Sequence, residues 1–212
     1  NWLNTHGAHI HLGTRLTAEQ IVELHHTASA QNATLLACPP WEAARLTADI
    51  APNWASQCAQ LPHTAIATVY LLCKDADFRG LARPMMALHS EAKAPAQFVF
   101  DKGLLSNQPR LLAVVVSACT TERSLVAEQV RAQVGEQLGL KDLEILQTVV
   151  EKRATLACTP MLNRPEALVA EGLWACGDYI RGPYPSTLEG AVRSGQQVVA
   201  QISQASHRHR LH

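Results

Sequence analysis

Apolar residues recur along this chain with two different periods, and each change of period marks a new element. AHIHL at 8–12 alternates and predicts a strand. TAEQIVEL at 17–24 combines helix formers with a short alternating core, Ile21 against Val22 and Leu24, and reads as strand or helix. ATLLACPPW at 33–41 is a continuous apolar run stopped by Pro39-Pro40, which predicts a buried strand ending at a rigid corner. WEAARL then starts a short helix. Between 63 and 119, HTAIATVYLLC, RPMMALHS, AQFVFDKG and PRLLAVVVSAC are β-rich runs separated by Gly, Pro, Asp and Asn. They predict a substantial sheet with antiparallel neighbours.

The period then lengthens. Val126, Val130, Val134 and Leu138 recur at helical spacing between Thr121 and Leu138, Thr120 or Thr121 can cap the start, and Gly139 can end the helix. LEILQTVVEKRATLAC returns to strand composition, TPMLNRP is a loop, GLWACGD is a last short buried strand, and SHRHRLH is a polar tail. No internal repeat or low-complexity segment interrupts the pattern. The expected class is α+β or mixed α/β, a mixed and largely antiparallel sheet with a covering helix, followed by a C-terminal strand-loop-helix.

Composition narrows the function. With 212 residues and 47% hydrophobic content the chain can bury a sizeable core. Eighteen Lys plus Arg balance eighteen Asp plus Glu, so no long-range field draws in nucleic acid or an anionic membrane. The six cysteines are scattered, without a CxxC pair or zinc-like spacing, and read as reduced thiols of a cytoplasmic-type protein. The apolar run LLAVVVSAC at 111–119 falls short of the ~20 residues a membrane-spanning helix needs. Residues 1–20 lack the basic start and apolar block of a signal peptide, and the first residue is Asn1, which suggests a processed or partial chain.

The chemistry concentrates in ACGDYIRGPYPSTLEGAVRSGQ at 175–196. Ser186-Thr187-Leu188-Glu189 fits a capping box, Pro183 and Pro185 stiffen the approach, and Gly182 lets the loop turn. Gly190, Ala191, Ser194 and Gly195 leave one side of the helix almost bare, so another backbone or a flat ligand can come close. The free N–H groups of such a terminus seat an anionic or carbonyl-rich group. Asp178, just past the strand, can accept hydrogen bonds from hydroxyls. Together these features suit a polyol joined to a phosphate or an electron-poor ring.

ACGDYIRGPYPSTLEGAVRSGQQVVAQI resembles the C-terminal flavin-binding segment of the FAD-dependent amine oxidase and phytoene desaturase superfamily, where a GD pair precedes a T-x-E-G-A-x-x-S-G helix. ATLLACPPWEAARL, TAIATVYLL, PMMAL, FVFDKG, LLAVVVSA and EKRATLACTP resemble successive blocks of the squalene-associated FAD-dependent desaturases, also described as hydroxysqualene dehydroxylases of hopanoid synthesis. The resemblance implies FAD as cofactor, held by Gly177, Asp178, Ser186, Thr187, Leu188, Glu189 and Gly190. Asp178 would bond the ribityl chain, and the backbone at 187–189 would face the pyrimidine edge or pyrophosphate. Pro40, Trp41 and Tyr184 are candidate linings for an apolar isoprenoid substrate.

The resemblance further implies reductive dehydroxylation of hydroxysqualene to squalene, by an enzyme that is cytoplasmic or peripheral to a membrane. A carotenoid desaturase or amine oxidase branch, or a non-catalytic lipid-binding domain, stand as alternatives. On this reading residues 1–55 join the cofactor and substrate regions, 56–170 form the substrate sheet and 171–205 close the flavin site. The family's G-x-G-x-x-G turn is missing from the eleven glycines, which implies a nucleotide-binding half supplied elsewhere.

Other candidates are weaker. His9 and His11 share a strand face near His6, but no carboxylate or Cys nearby completes a metal site, and none is assigned. Lys152 and Arg153 point to opposite faces if 143–157 is a strand, so one could face a cleft. His207, His209 and His212 fall in the polar tail. The catalytic acid is unassigned.

A Kd of 1 μM needs about 8 kcal/mol, whereas a helix terminus contributes ~0.3–2 kcal/mol and a hydrogen bond to a charged group ~1.5–3. The 212-residue chain alone is therefore expected to bind FAD weakly or not at all. Absorbance of the purified chain checks this, and a stoichiometrically yellow preparation would contradict it.

Overall fold

The structure, a computed structural model, describes residues 2–28 and 32–209. In chain order the elements are α1 (Trp2–Thr5), α2 (Ala18–His26), β1 (Thr34–Leu36), α3 (Pro40–Thr47), α4 (Pro52–Ala59), β2 (His63–Cys73), β3 (Met85–Ala87), β4 (Phe98–Asp101), α5 (Lys102–Ser106), β5 (Leu111–Val116), α6 (Arg123–Leu138), β6 (Leu143–Leu156), β7 (Leu168–Ala170), β8 (Leu173–Ala175) and α7 (Leu188–His209). They form two compact units, one from Asn1–Leu61 with Cys158–His212 and the other from Pro62–Ala157. The class is α+β, as the pattern predicts.

The Pro62–Ala157 unit is a five-stranded sheet in the order β3-β4-β5-β2-β6, antiparallel at every pairing. Val126, Val130 and Val134 of α6 are fully buried, as their spacing requires, and pack on the face made by Val69, Leu71, Val99, Leu112, Val114 and Val116. The start of α6 differs in detail from expectation. Glu122, not a threonine, is the cap: its backbone is extended and its carboxylate accepts from the Ser124 amide. Gly139 ends the helix in the left-handed conformation (φ 66°), where a Cβ is disfavoured.

Periodicity misses one feature of α6. Gln133 is buried, yet its Oε1 accepts from the Ala96 amide (2.8 Å) while its Nε2 donates to the carbonyls of Ala96 and His89 (both 2.9 Å). One turn on, Gln137 repeats the device on the amide and carbonyl of His89 (2.9 and 2.8 Å). The two amides act as a surrogate strand partner for the connection between β3 and β4, where the backbone of buried Ala96 would otherwise be unpaired.

The other unit carries a three-stranded sheet in the order β1-β8-β7, with β1 and β8 parallel and β7 and β8 antiparallel. TAEQIVEL resolves as helix α2, with a capping box between Thr17 and Gln20. The predicted strand at 8–12 does not form; these residues are exposed coil with no strand neighbour. Alternation yields a strand only where an edge is there to pair with it. The β7 strand carries no signal in the sequence pattern, and α7 continues into the polar tail as far as His209. The cysteines are free thiols: Cys58 and Cys73 are buried, Cys38, Cys119 and Cys176 partly so, and Cys158 is exposed. Among the described residues no helix is long and apolar enough to cross a membrane.

Gln133→Leu keeps the volume and strands the amide and carbonyl of Ala96, while Gln137 still holds the His89 carbonyl, so a loss of about 2–4 kcal/mol is expected. Gln137→Leu, at an exposed position, should cost less. Urea unfolding of the two variants measures the difference.

Candidate functional site

The parallel pairing of β1 with β8 sets Leu36 beside Ala175, and Cys176 N–H donates to the Leu36 carbonyl at 2.9 Å. The Cys38-Pro39-Pro40 corner and the Cys176-Gly177-Asp178 turn therefore leave the sheet at the same edge. The carboxyl ends of parallel strands are where open α/β sheets hold ligands. Pro40 opens α3 and is buried, where its missing N–H costs nothing, and Trp41 follows it at 36% exposure.

From that edge the chain is clasped to α7. The Gly177 amide donates to Ser194 Oγ (2.9 Å), and the Ser194 hydroxyl donates to the Ala191 carbonyl (2.8 Å). Ser194 is buried, so both bonds lie away from water. Gly177 is required by space: a Cβ there would stand 2.6 Å from the Tyr179 ring, which is itself fully buried. The loop after Tyr179 is fastened in turn by Arg164, whose guanidinium donates to the carbonyls of Ile180 (2.8 Å) and Gly182.

The approach to α7 differs by one residue from the expected capping box. Thr187, not Ser186, caps the helix: its hydroxyl accepts from the Gly190 amide (3.0 Å) and donates to the Tyr184 carbonyl (2.9 Å). Ser186 has φ 57°, outside the extended region a cap residue needs. Its amide donates to the Asp178 carbonyl (3.3 Å), and its Oγ lies 3.3 Å from Cys158 Sγ. Glu189 does not reach back; it pairs with Arg193 one turn on. Of the two partners a bare helix side could admit, Gly190 takes backbone, since a Cβ there would meet the Tyr184 carbonyl oxygen at 1.9 Å. Gly195 opens onto free space, with nothing within 4 Å of an added Cβ.

What remains for a ligand is specific. Thr187, Leu188 and Glu189 are exposed, Leu188 at 88%, and the amides of Leu188 and Glu189 meet no acceptor among the described residues. Asp178 is partly buried and joins no ion pair among the described residues. Two donors and one acceptor at one helix start fit a group that carries both carbonyl or phosphate oxygens and hydroxyls, as FAD does.

The neighbouring thiols offer no nucleophile. Burial raises Cys38 and Cys176 above the ordinary thiol range, with the Glu42 charge adding to Cys38, and it pushes Cys58 up to about 12. All three stay protonated at neutral pH. Burial also raises the Tyr179 phenol, whose hydroxyl has no hydrogen-bond partner among the described residues.

The remaining candidates lie apart in role. Tyr184 is 44% exposed, with the Arg193 guanidinium 5.0 Å from its ring centroid. His6 stacks on Trp2 at 4.0 Å, and His9 and His11 are exposed in coil, so the shared strand face is not formed. Lys152 and Arg153 are exposed where β6 bulges between the Ile66–Glu151 and Thr64–Thr155 pairs, which breaks the alternation of faces. The side chains of His207 and His209, and all of His212, lie outside the described residues. Ser194 stood within the quoted stretch but was read only as small; Arg164 and Tyr179 carried no signal in spacing.

No protein-family model matches the chain. A curated hydroxysqualene dehydroxylase from Zymomonas mobilis is 32% identical over 93 residues, which is 40% of this chain and 22% of that protein. Among solved structures, an oxidoreductase from Methanosarcina mazei superposes with TM-score 0.55 at 12% identity, over 80% of this chain and 43% of its own. A candidate protoporphyrinogen oxidase from Exiguobacterium sp. 255-15 superposes with TM-score 0.54 at 14% identity, over 84% of this chain and 41% of its own. The chain thus spans less than half of each protein it matches, and at such identities the structural likeness speaks for fold. The chain is thus similar in sequence to part of a hydroxysqualene dehydroxylase and in fold to part of two oxidoreductases.

Proposed function

We propose that this chain supplies the substrate-binding sheet and the closing flavin segment of an FAD-dependent oxidoreductase that acts on an isoprenoid, by reductive dehydroxylation of hydroxysqualene to squalene. The observation that carries the substrate class is the second face of the five-stranded sheet. Strand alternation puts Ile66, Tyr70, Phe98, Phe100, Ala113 and Val115 on the side opposite the α6 core. Phe98 remains 40% exposed, and Met85 and Val149 on the same face 52% and 43%. A contiguous apolar surface of this kind is what a hydrocarbon chain needs, at about 25 cal/mol per Å² removed from water.

In the other unit, Asp178 and the amides of Leu188 and Glu189 are the groups that would hold the cofactor. Asp178 would accept from ribityl hydroxyls, and the amides would donate to flavin carbonyl or pyrophosphate oxygens. FAD, when bound and reduced, supplies the hydride. The chain's own contribution is orientation and the exclusion of water: the Ser194 clasp fixes the turn that presents Asp178, and the Thr187 cap fixes the direction of the free amides. The nucleotide-binding half belongs to this proposal as the missing partner.

The test joins the chain to a region carrying a G-x-G-x-x-G turn and follows flavin absorbance and squalene formation. Both signals are expected. Leu188→Pro deletes one free amide at the first helical position, where Pro is tolerated, and Asp178→Ala removes the carboxylate. Each should weaken flavin retention about tenfold or more while thermal unfolding of the chain changes little. Flavin without squalene would favour a desaturase or amine oxidase branch. Neither signal would leave a lipid-binding domain.

A further inference from the structure

Two guanidinium groups meet at one end of the five-stranded sheet with no carboxylate to pair them. Arg79 lies in the loop between β2 and β3, and Arg110 immediately precedes β5. Both donate to the Ala76 carbonyl, Arg110 through Nη2 at 3.2 Å. Two donors on one oxygen stand within about 6 Å of each other, so two like charges are held together at a cost. One arginine would suffice to fasten the loop. Each keeps most of its N–H donors without a protein partner among the described residues.

The acids nearby are committed elsewhere. Asp101 is 1% exposed, and its carboxylate accepts from the amides of Leu81 (2.7 Å), Gly103 (2.8 Å) and Leu104 (3.2 Å). The Asp75 carboxylate accepts from the Asp77 amide at 2.9 Å. Among the described residues, none of these three acids forms an ion pair with Arg79 or Arg110. Arg110 is also held in the left-handed region (φ 65°), which a residue with a Cβ seldom enters, and its carbonyl accepts from the Cys73 amide at 3.0 Å. The chain thus tolerates local strain at the residue that brings in the second charge.

Both arginines line a cavity of about 370 Å³ that lies wholly within the Pro62–Ala157 unit. Asp101 stands in its wall with its charge spread over three amides, and Phe78, Leu104 and Pro109 make the wall partly apolar. We infer that this cavity binds a phosphate group carried on a hydrocarbon chain. The guanidiniums of Arg79 and Arg110 donate to the phosphate oxygens, and Phe78, Leu104 and Pro109 cover the first carbons. Guanidinium forks match phosphate oxygens in geometry, and two adjacent positive charges favour a phosphate monoester, near dianionic at neutral pH, over a carboxylate. The site belongs to a different unit from Asp178 and the start of α7, and it stands whether or not the flavin reading does.

The experiment titrates decyl phosphate, kept below its micelle concentration, and decanol into the 212-residue chain and its variants, with circular dichroism confirming the fold of each. The wild-type chain should hold decyl phosphate about tenfold or more tightly than decanol, the span of hydrogen bonds to a charged group, and added salt should narrow the difference. Arg79→Gln, in exposed coil, and Arg110→Asn, whose new side chain tolerates the left-handed backbone, should each weaken decyl phosphate about tenfold and leave decanol unchanged. Flotation with phosphatidylcholine vesicles containing phosphatidic acid separates the two sources of such a group. Capture that falls in both variants assigns a bilayer headgroup, and binding confined to monomeric decyl phosphate assigns a soluble amphiphile. Equal binding of decyl phosphate and decanol, or decyl phosphate binding that survives in the folded double variant, would overturn the site, and so would a wild-type chain that takes up neither decyl phosphate nor the vesicles.

Discussion

The pairing of β1 with β8 is the constraint from which the candidate site follows. It joins Thr34–Leu36 to Leu173–Ala175, segments separated by most of the chain. Closing so long a loop is less costly than its length suggests, because closure entropy grows only with the logarithm of loop length. The chain lowers the cost further. Residues 62–157 fold as a unit whose first and last strands pair along their length, and the Ala157 amide bonds the Pro62 carbonyl at 2.9 Å where the unit begins and ends. The intervening unit therefore returns the chain close to where it left.

Once that pair exists, the geometry at the start of α7 has few freedoms left. Cys176 is tied to Leu36, Gly177 to Ser194, and Ser186 back to Asp178. Each bond uses a backbone group that would otherwise be left over at a strand end or a helix start. The amides of Leu188 and Glu189 escape this accounting only because they are exposed. Small residues serve two purposes here that composition cannot separate: Gly177 and Gly190 make room for the chain's own Tyr179 ring and Tyr184 carbonyl, whereas Gly195 faces open space.

Legibility in the sequence tracked how local the cause was. The buried valines of α6 and the existence of the β2 and β6 strands follow from periodicity, which neighbouring residues decide; the pairing of β2 with β6 does not. The stretch at 8–12 has the right alternation and no edge to join, so the same signal misleads there. Ser186 and Thr187 are equally good cap residues by type; the choice was made by the bond from Ser186 N–H to Asp178, which turns Ser186 into the left-handed region. Arg164 and Ser194 act through carbonyls and an amide distant in sequence, and no spacing rule could name them. The strand-loop-helix that carries Asp178 and the start of α7 was legible because it is contiguous, although its cap was not.

The five-stranded sheet shows how one set of strands can be rigid and receptive at once. Its α6 face is saturated: three fully buried valines meet six strand residues, and Gln133 satisfies the backbone at the margin. Because side chains alternate strictly, that packing fixes the register of every strand, and the register in turn decides which residues stand opposite one another on the other face. The row of Phe100, Ala113 and Tyr70 follows from that register, with Ala113 buried between two half-buried rings. Apolar contact on such a face provides affinity without choosing among hydrocarbons, since one methylene more or less is worth only ~1–3 kcal/mol.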